Sequence, residues 1–387
     1  MCTFELIMII DFNLYNDIRE KSVSSRYLTL KDLEYFIKKS KWLYFKIEGA
    51  SVNNQSIYST TKGDGDIKVL MWSQMHGNES TSTKSIFDLL NFLNSNHPVS
   101  NQVLKHCTLK IIPILNPDGA VAYTRLNANN VDLNRDAQYQ SQPESKVLRK
   151  VFDYFQPDFC FNLHGQRTIF GTNGHNTPAT LSFLSPSVNK ESSLNPTREK
   201  AMQVISSIFK DLRDDLQNGI GRYDDAFNIN CVGDTFQSAG VSTILFEAGH
   251  YPNDYQREIT RFYFFNALVS ALNSIANNEY NNVNVNQYFT IPENKKSFVD
   301  VLIKNVKHEV FEDKLGQVCI QFEEILKDNT IHFKPLVVDL STNIEKHGHL
   351  EIDACGNEVL NHSKQVINPT DEIDFVFIKN QKYLIKP

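Results

Sequence analysis

The stretch IKVLMWSQMHGNESTSTKSIFDLL (residues 67–90) starts as one kind of structure and ends as another. Its opening, IKVLMWSQ, is a nearly continuous apolar run, the pattern of a strand covered on both faces. From Ser82 the apolar residues recur at helical spacing, which predicts a helix over STKSIFDLLNFLNSN that stops before His97-Pro98. Gly77 lets the backbone turn sharply in between. His76 and Glu79 therefore stand three positions apart where strand gives way to helix. A glutamate there can serve a helix N-terminus, but that does not explain the histidine. The pair can also be two-thirds of a metal site.

The strand-then-helix alternation extends in both directions. Upstream, LKDLEYFIKK reads as a helix with Thr29 as N-cap, and WLYFKIEGA and NQSIYSTTKGDGD as strands. Downstream, TLKIIPILNPDG repeats the buried-strand pattern and ends in a Pro-Asp-Gly turn. PESKVLRKVFDYFQ is a helix with Pro143 at its start. DFCFNLHGQ and VSTILFEAGH are further strands. REKAMQVISSIFKDLRDDLQ and the long QREITRFYFFNALVSALNSIANN are helices, the last expected to be amphipathic. This is an α/β pattern: a mixed, mostly parallel sheet with helices on both faces. At about residue 280 the pattern changes. NEYNNVNVNQY suits a polar linker, and SFVDVLIKN, GQVCIQFEEI, IHFKPLVVDLST, HLEIDA and EIDFVFIKN are short β runs. The expected division is residues 1–280 and a small β-rich domain over 281–387.

Composition excludes little. Hydrophobic residues make up 41%, charged residues 22%, and the formal net charge of -6 argues against binding through phosphate neutralisation. The six cysteines are scattered without a CxxC pair, which favours a reducing compartment. The start, MCTFELIMIIDFNLYND, lacks a basic lead and a cleavage site and reads as a buried segment. No run reaches the roughly 20 apolar residues that a bilayer requires. A cytoplasmic location is the expectation, without nucleic-acid or membrane partners.

In open α/β sheets ligands bind beyond the carboxyl ends of the strands. His76, His164 and Glu247 each follow a predicted strand, and so does the NPDG turn. His76, Glu79 and His164 fit a site of two histidines and one glutamate for zinc. TRLNANNVDLNRD (residues 124–136) carries Arg125 and Arg135 in a stretch whose acidic residues are Asp132 and Asp136. Asn134 beside Arg135 suits the gripping of a carboxylate. His250 and His175 read as loop histidines satisfied by water, and His347 and His349 as exposed.

HGNE, NPDG, RLNANNVDLNRD, NLHG and FEAG, in that order, resemble the zinc carboxypeptidases of the funnelin type, peptidase family M14, over roughly residues 40–275. The resemblance implies one zinc per chain held by His76, Glu79 and His164, with Asp132 supporting His76. It implies Glu247 as general base for a metal-activated water, Arg125 polarising the scissile carbonyl, and Asn134 and Arg135 on the substrate's terminal carboxylate. Tyr223 is the nearest candidate for the tyrosine that closes over the substrate. The expected reaction is hydrolysis of the C-terminal amide bond of a peptide. The gap from Glu79 to His164 is shorter than in digestive relatives, which suggests a more open cleft. The side-chain pocket is expected around CVGDTFQSAG, where Asp234 either faces the substrate or serves a turn. Competing readings are a deacylase of N-acyl amino acids resembling aspartoacylase and succinylglutamate desuccinylase, an amidase of cell-wall peptides, and a non-catalytic binding protein.

Overall fold

The computed structural model describes residues 10–342 and 345–387, so most of the apolar run near the N-terminus lies outside the described residues. The first nine strands are β1 (Phe45–Ala50), β2 (Ser56–Lys62), β3 (Ile67–Trp72), β4 (Cys107–Ile112), β5 (Phe159–Gly165), β6 (Gly171–Thr172), β7 (Leu181–Leu184), β8 (Ile220–Arg222) and β9 (Ser242–Ala248). All but β6 form one sheet, in the order β1-β2-β4-β3-β5-β9-β7-β8. Its centre, β4-β3-β5-β9, is parallel, and antiparallel pairs join it to β2 on one side and β7 on the other. The expected mixed, mostly parallel sheet is present. After β3 the chain builds β4 on one side and later returns to lay β5 on the other. The carboxyl ends of β3 and β5 thus flank a topological switch point, where such sheets leave a crevice.

The helices are α1 (Phe12–Ile18), α2 (Leu30–Lys39), α3 (Thr81–Leu93), α4 (Pro98–His106), α5 (Pro117–Ala122), α6 (Pro143–Phe155), α7 (Pro196–Leu216), α8 (Val232–Ser238) and α9 (Glu258–Ala276). Thr29 caps α2, with the Asp32 carboxylate accepting from its backbone N–H at 2.8 Å. Pro98 does more than end the preceding helix. It opens α4, where a missing N–H costs nothing. The expected Pro-Asp-Gly turn is likewise the start of a helix, α5, capped by Asn116. The α9 helix, expected to be amphipathic, is buried nearly all round because it packs against α3, α4 and α7. None of the described helices is long and apolar enough to cross a membrane.

The stretch expected as a polar linker is not free. Tyr280 and Tyr288 are buried in the core of the first body, and the Ser185 N–H donates to the Tyr288 hydroxyl at 3.1 Å. Asparagine-rich composition hid two anchoring tyrosines. The strand β10 (Asn294–Lys295) still pairs with β6 of the first body. Next come β11 (Phe298–Val306), β12 (Gly316–Lys327), β13 (Thr330–Ser341) and β14 (His347–Asp353), which form a sheet ordered β13-β12-β11-β14. A hairpin of β15 (Phe375–Ile378) and β16 (Gln381–Leu384) follows. Val301, Ile303, Val318, Ile320, Val337 and Val376 fill a separate β core.

Candidate active site

Three loops bring the site together. After β3, Gln74 adopts a left-handed conformation (φ 46°) and turns the chain towards the crevice. Its amide donates to the carbonyls of Leu28 and Gly77 at 2.9 and 2.8 Å, which holds the kink. A Cβ on Gly77 would lie 1.9 Å from the backbone of Gly119, so only glycine fits there. This contact defines the role of NPDG, which was expected to reach the crevice. Asn116 caps α5, and the Asp118 carboxylate accepts from the hydroxyl of Ser51, the backbone of Asn53 and the amide of Gln55. The segment supports the His76 loop from behind and does not enter the site.

Nδ1 of His76, Nδ1 of His164 and the Glu79 carboxylate converge, with their ligand atoms all within 4.8 Å of one another. Glu79 Oε1 lies 2.9 Å from His76 Nδ1, and Oε2 lies 3.0 Å from His164 Nδ1. Gly165 N–H also donates to Oε2 at 3.0 Å. The two Nδ1 atoms are 3.1 Å apart, closer than two protonated nitrogens would rest. Two nitrogens and a carboxylate at this spacing are a donor set able to hold a metal ion. His76 Nε2–H donates to Asp132 Oδ1 at 3.1 Å, which leaves Nδ1 free for the metal.

The electrostatics follow from burial and these partners. Burial raises the Glu79 carboxyl, but His76 and then His164 outweigh it and hold it well below the usual range. His164 is pushed down by burial despite Glu79, which favours its neutral ring. Asp132 is held low by His76 and Arg125 against its own burial. Register places Glu247 on β9 directly beside His164 on β5. Burial, reinforced by the nearby Glu79, pushes the Glu247 carboxyl well up, and its Oε2 has no hydrogen-bond partner among the described residues.

Arg125 reaches the same point. Its guanidinium bonds Asp132 at 3.0 and 3.1 Å and lies 3.2 Å from His76 Nδ1. Asn134 and Arg135 stand a little apart. Asn134 Oδ1 accepts from Val232 N–H at 3.1 Å, and the exposed Arg135 donates to the Asn134 carbonyl. No acidic side chain among the described residues forms a salt bridge with Arg135. Tyr223 lines the cleft, its hydroxyl donating to Gln166 Oε1 at 2.7 Å. Asp234 lies within α8 and ties down neighbouring backbone instead of lining the cleft. Its carboxylate accepts from the backbone of Ser187 and Asn228, and burial pushes its carboxyl up to about 6.

Residues 44–148 match the family model described as zinc carboxypeptidase. The chain is 27% identical over 129 residues to a probable carboxypeptidase 2 of Arthroderma benhamiae, covering 33% of this chain and 23% of that one. It is 32% identical over 163 residues to carboxypeptidase SOL1 of Arabidopsis thaliana, covering 36% and 33%. A metallo-carboxypeptidase structure from Burkholderia cenocepacia superposes with a TM-score of 0.54 at 18% identity, covering 66% of this chain and 70% of that one. The chain is thus similar to the zinc carboxypeptidases in fold over about two thirds of its length, and in sequence over residues 44–148. The chain spans about a quarter to a third of the length of these curated relatives. A carboxypeptidase structure from Pseudomonas aeruginosa, solved with (2-guanidinoethylmercapto)succinic acid, has a TM-score of 0.52 at 14% identity, covering 66% of this chain and 70% of that one.

Several residues around this candidate site escape a reading by motif. Gln166 links Tyr223 to Asn294 and sits two positions past His164, which is the one clue the sequence offered. Arg257 is buried beside the ends of β5 and β9, donating to the carbonyls of Ala248 and Gln166 at 2.6 and 2.7 Å. The C-terminal β-rich region contributes the most lining that no motif reveals. Asp300, Gln321, Phe322, Glu324, Phe333 and Leu336 line the same cavity of about 640 Å³ as Glu79 and Glu247. Where the shorter gap before His164 was expected to open the cleft, residues of the C-terminal β-rich region line one side of it.

Two histidines also depart from expectation. His250, expected to be solvated, is 1% exposed with neither ring nitrogen hydrogen-bonded among the described residues. His349, expected to be exposed, packs its ring 4.3 Å from that of His250 and also contacts Phe298 and Tyr255. One histidine comes from each domain. Burial lowers the His349 pKa to about 4, with Arg257 adding to the effect, and lowers His250 further, with His349 and Arg257 next in effect. The unfolded chain takes up a proton near pH 6.5 that folded His349 refuses until about pH 4. Stability is therefore expected to fall as pH drops through that window, by about 3 kcal/mol from His349. Urea midpoints across the range, for wild type and His349→Gln, measure it. An equal slope in both proteins would assign the effect elsewhere.

Proposed function

We propose that this protein is a zinc-dependent metallocarboxypeptidase that hydrolyses the C-terminal amide bond of peptides. The observation that carries this reading is the convergence of His76, Glu79 and His164 with Glu247 alongside on the next strand. When bound, one zinc would supply Lewis acidity at the scissile carbonyl and acidify water at the site. Asp132 keeps His76 in the tautomer that ligates through Nδ1. Glu247 takes the proton from water and passes it to the leaving amine, a role suited to a carboxyl whose basicity burial has raised. Arg125 stabilises the developing oxyanion, an effect of about 3 kcal/mol for a donor of this kind. To do so it turns part of its guanidinium from Asp132 to substrate. Asn134 and Arg135 hold the terminal carboxylate and so place the last amide bond over the metal. Tyr223 exchanges its bond to Gln166 for one to substrate.

The first test is metal content. Purified wild type supplied with zinc at neutral pH is expected to retain about one equivalent, as a three-ligand site requires. His76→Ala is expected to lose it, together with hydrolysis of peptides ending in a free carboxylate. Wild type that retains no zinc would end the catalytic reading. Assays with N-acyl amino acids and cell-wall peptides alongside decide among substrates that share the carboxylate.

A further inference from the structure

The cleft has two ends, and the second domain owns one of them. Asn134 and Arg135 do not line the cavity that holds Glu79, Glu247 and Arg125. If the clamp takes the terminal carboxylate, that cavity receives what lies on the acyl side of the scissile bond. This inference rests on the proposed carboxypeptidase reading. The cavity's volume, about 640 Å³, lies within the range of small-ligand sites, roughly 300–1,000 Å³.

The far wall of the cavity is the β12–β13 hairpin. Polar contacts hold it in place, through Glu324 and Gln321 of the hairpin and through Asp300 of the neighbouring β11. Glu324 pairs with Arg26 at 2.8 Å and accepts from the Tyr123 hydroxyl. Asp300 accepts from the Tyr255 hydroxyl at 2.9 Å, and Gln321 donates to the Thr168 hydroxyl at 2.8 Å. Beside the exposed Glu323, the hairpin presents an apolar row to the cavity: Phe333, Leu336 and Val338, the last 50% exposed. A half-exposed valine on a wall so firmly anchored gains from covering by an apolar partner.

We propose that Phe333, Leu336 and Val338 form a binding subsite for an apolar side chain on the acyl side of the scissile bond. By this account the second domain sets specificity upstream of the bond that is cut.

The test uses the intact zinc-loaded chain and three substrates with the same C-terminal residue. These are an acetylated tripeptide with leucine in its first position, its aspartate counterpart, and the acetylated C-terminal amino acid alone. Wild type is expected to favour the leucine peptide over the aspartate one. Val338→Asp is expected to lower kcat/KM for the leucine peptide about tenfold and leave the short substrate within about twofold. Leu336→Asn, a milder change, should shift the ratio in the same direction. A parallel fall on long and short substrates, or no change on either, overturns the subsite. If wild type cleaves none of the three, the catalytic reading fails by itself. Calorimetric binding of the leucine tripeptide to wild type and Val338→Asp then decides the subsite, with equal affinities overturning it.

Discussion

Glu247→Gln is expected to lower kcat by about 100- to 10,000-fold while zinc content stays at the wild-type level. The geometry separates the two outcomes. Glu247 is not among the three converging ligand groups, so its amide should leave His76, Glu79 and His164 free to hold the metal. Glutamine keeps the size of the side chain but cannot accept and return a proton. Register also matters: Glu247 lies directly beside His164, and its Oε2 has no hydrogen-bond partner among the described residues, so the swap strands no existing bond. Folding stability should accordingly hold or rise slightly, because a carboxylate that burial disfavours has been removed. Steady-state kinetics with elemental analysis on the same preparations make the measurement. Zinc lost along with activity would make Glu247 a contributor to the metal site instead. Activity within a few-fold of wild type would remove it from the chemistry.

Asp88→Ala is expected to be the most damaging substitution for stability, costing about 3–5 kcal/mol. Asp88 on α3 accepts two bonds from the Arg261 guanidinium on α9, at 2.6 and 2.7 Å. It also accepts from the Tyr15 hydroxyl at 2.9 Å and from Glu20 N–H at 2.7 Å. Both charges are sealed off, with side-chain exposures of 1% for Arg261 and 0% for Asp88. Removing the carboxylate leaves a buried guanidinium with only Glu258 and backbone carbonyls, and frees the N-terminal arm that Tyr15 and Glu20 anchor. Against the roughly 5–15 kcal/mol by which domains are stable, the loss is large. Urea unfolding monitored by circular dichroism gives the number. The double change Asp88→Leu with Arg261→Met should cost less than Asp88→Ala alone, because it leaves no unpaired charge. A loss below about 1 kcal/mol for Asp88→Ala would show that solvent reaches the pair.

How much of this was legible beforehand differs from element to element. The strands around Val69, Phe161 and Ile244 and the helices that follow them carry periodicity and turn residues within a few positions, and those signals act locally. The alternation also places His76, His164 and Glu247 at strand ends, where such sheets leave a crevice. The ordered motifs pointed to which residues share the site. Less legible was anything whose partner lies far along the chain. Asp118 and Gly119 look like a turn until Ser51 is seen against the first and Gly77 against the second. The α9 helix looks amphipathic until α3, α4 and α7 cover its remaining face.

By itself, then, the sequence determined the α/β alternation, the small β-rich C-terminal region and the chemistry available at three strand ends. Those properties rest on spacing within a few residues, where backbone geometry alone decides which side chains share a face. Only the tertiary structure decided that the C-terminal β-rich region lines the cleft, that His250 meets His349, and that Glu324 pairs with Arg26 across a separation of 298 positions. Burial and pairing at that range depend on how whole layers stack. The pattern along the chain reports which face of an element is apolar, but not what comes to lie on it.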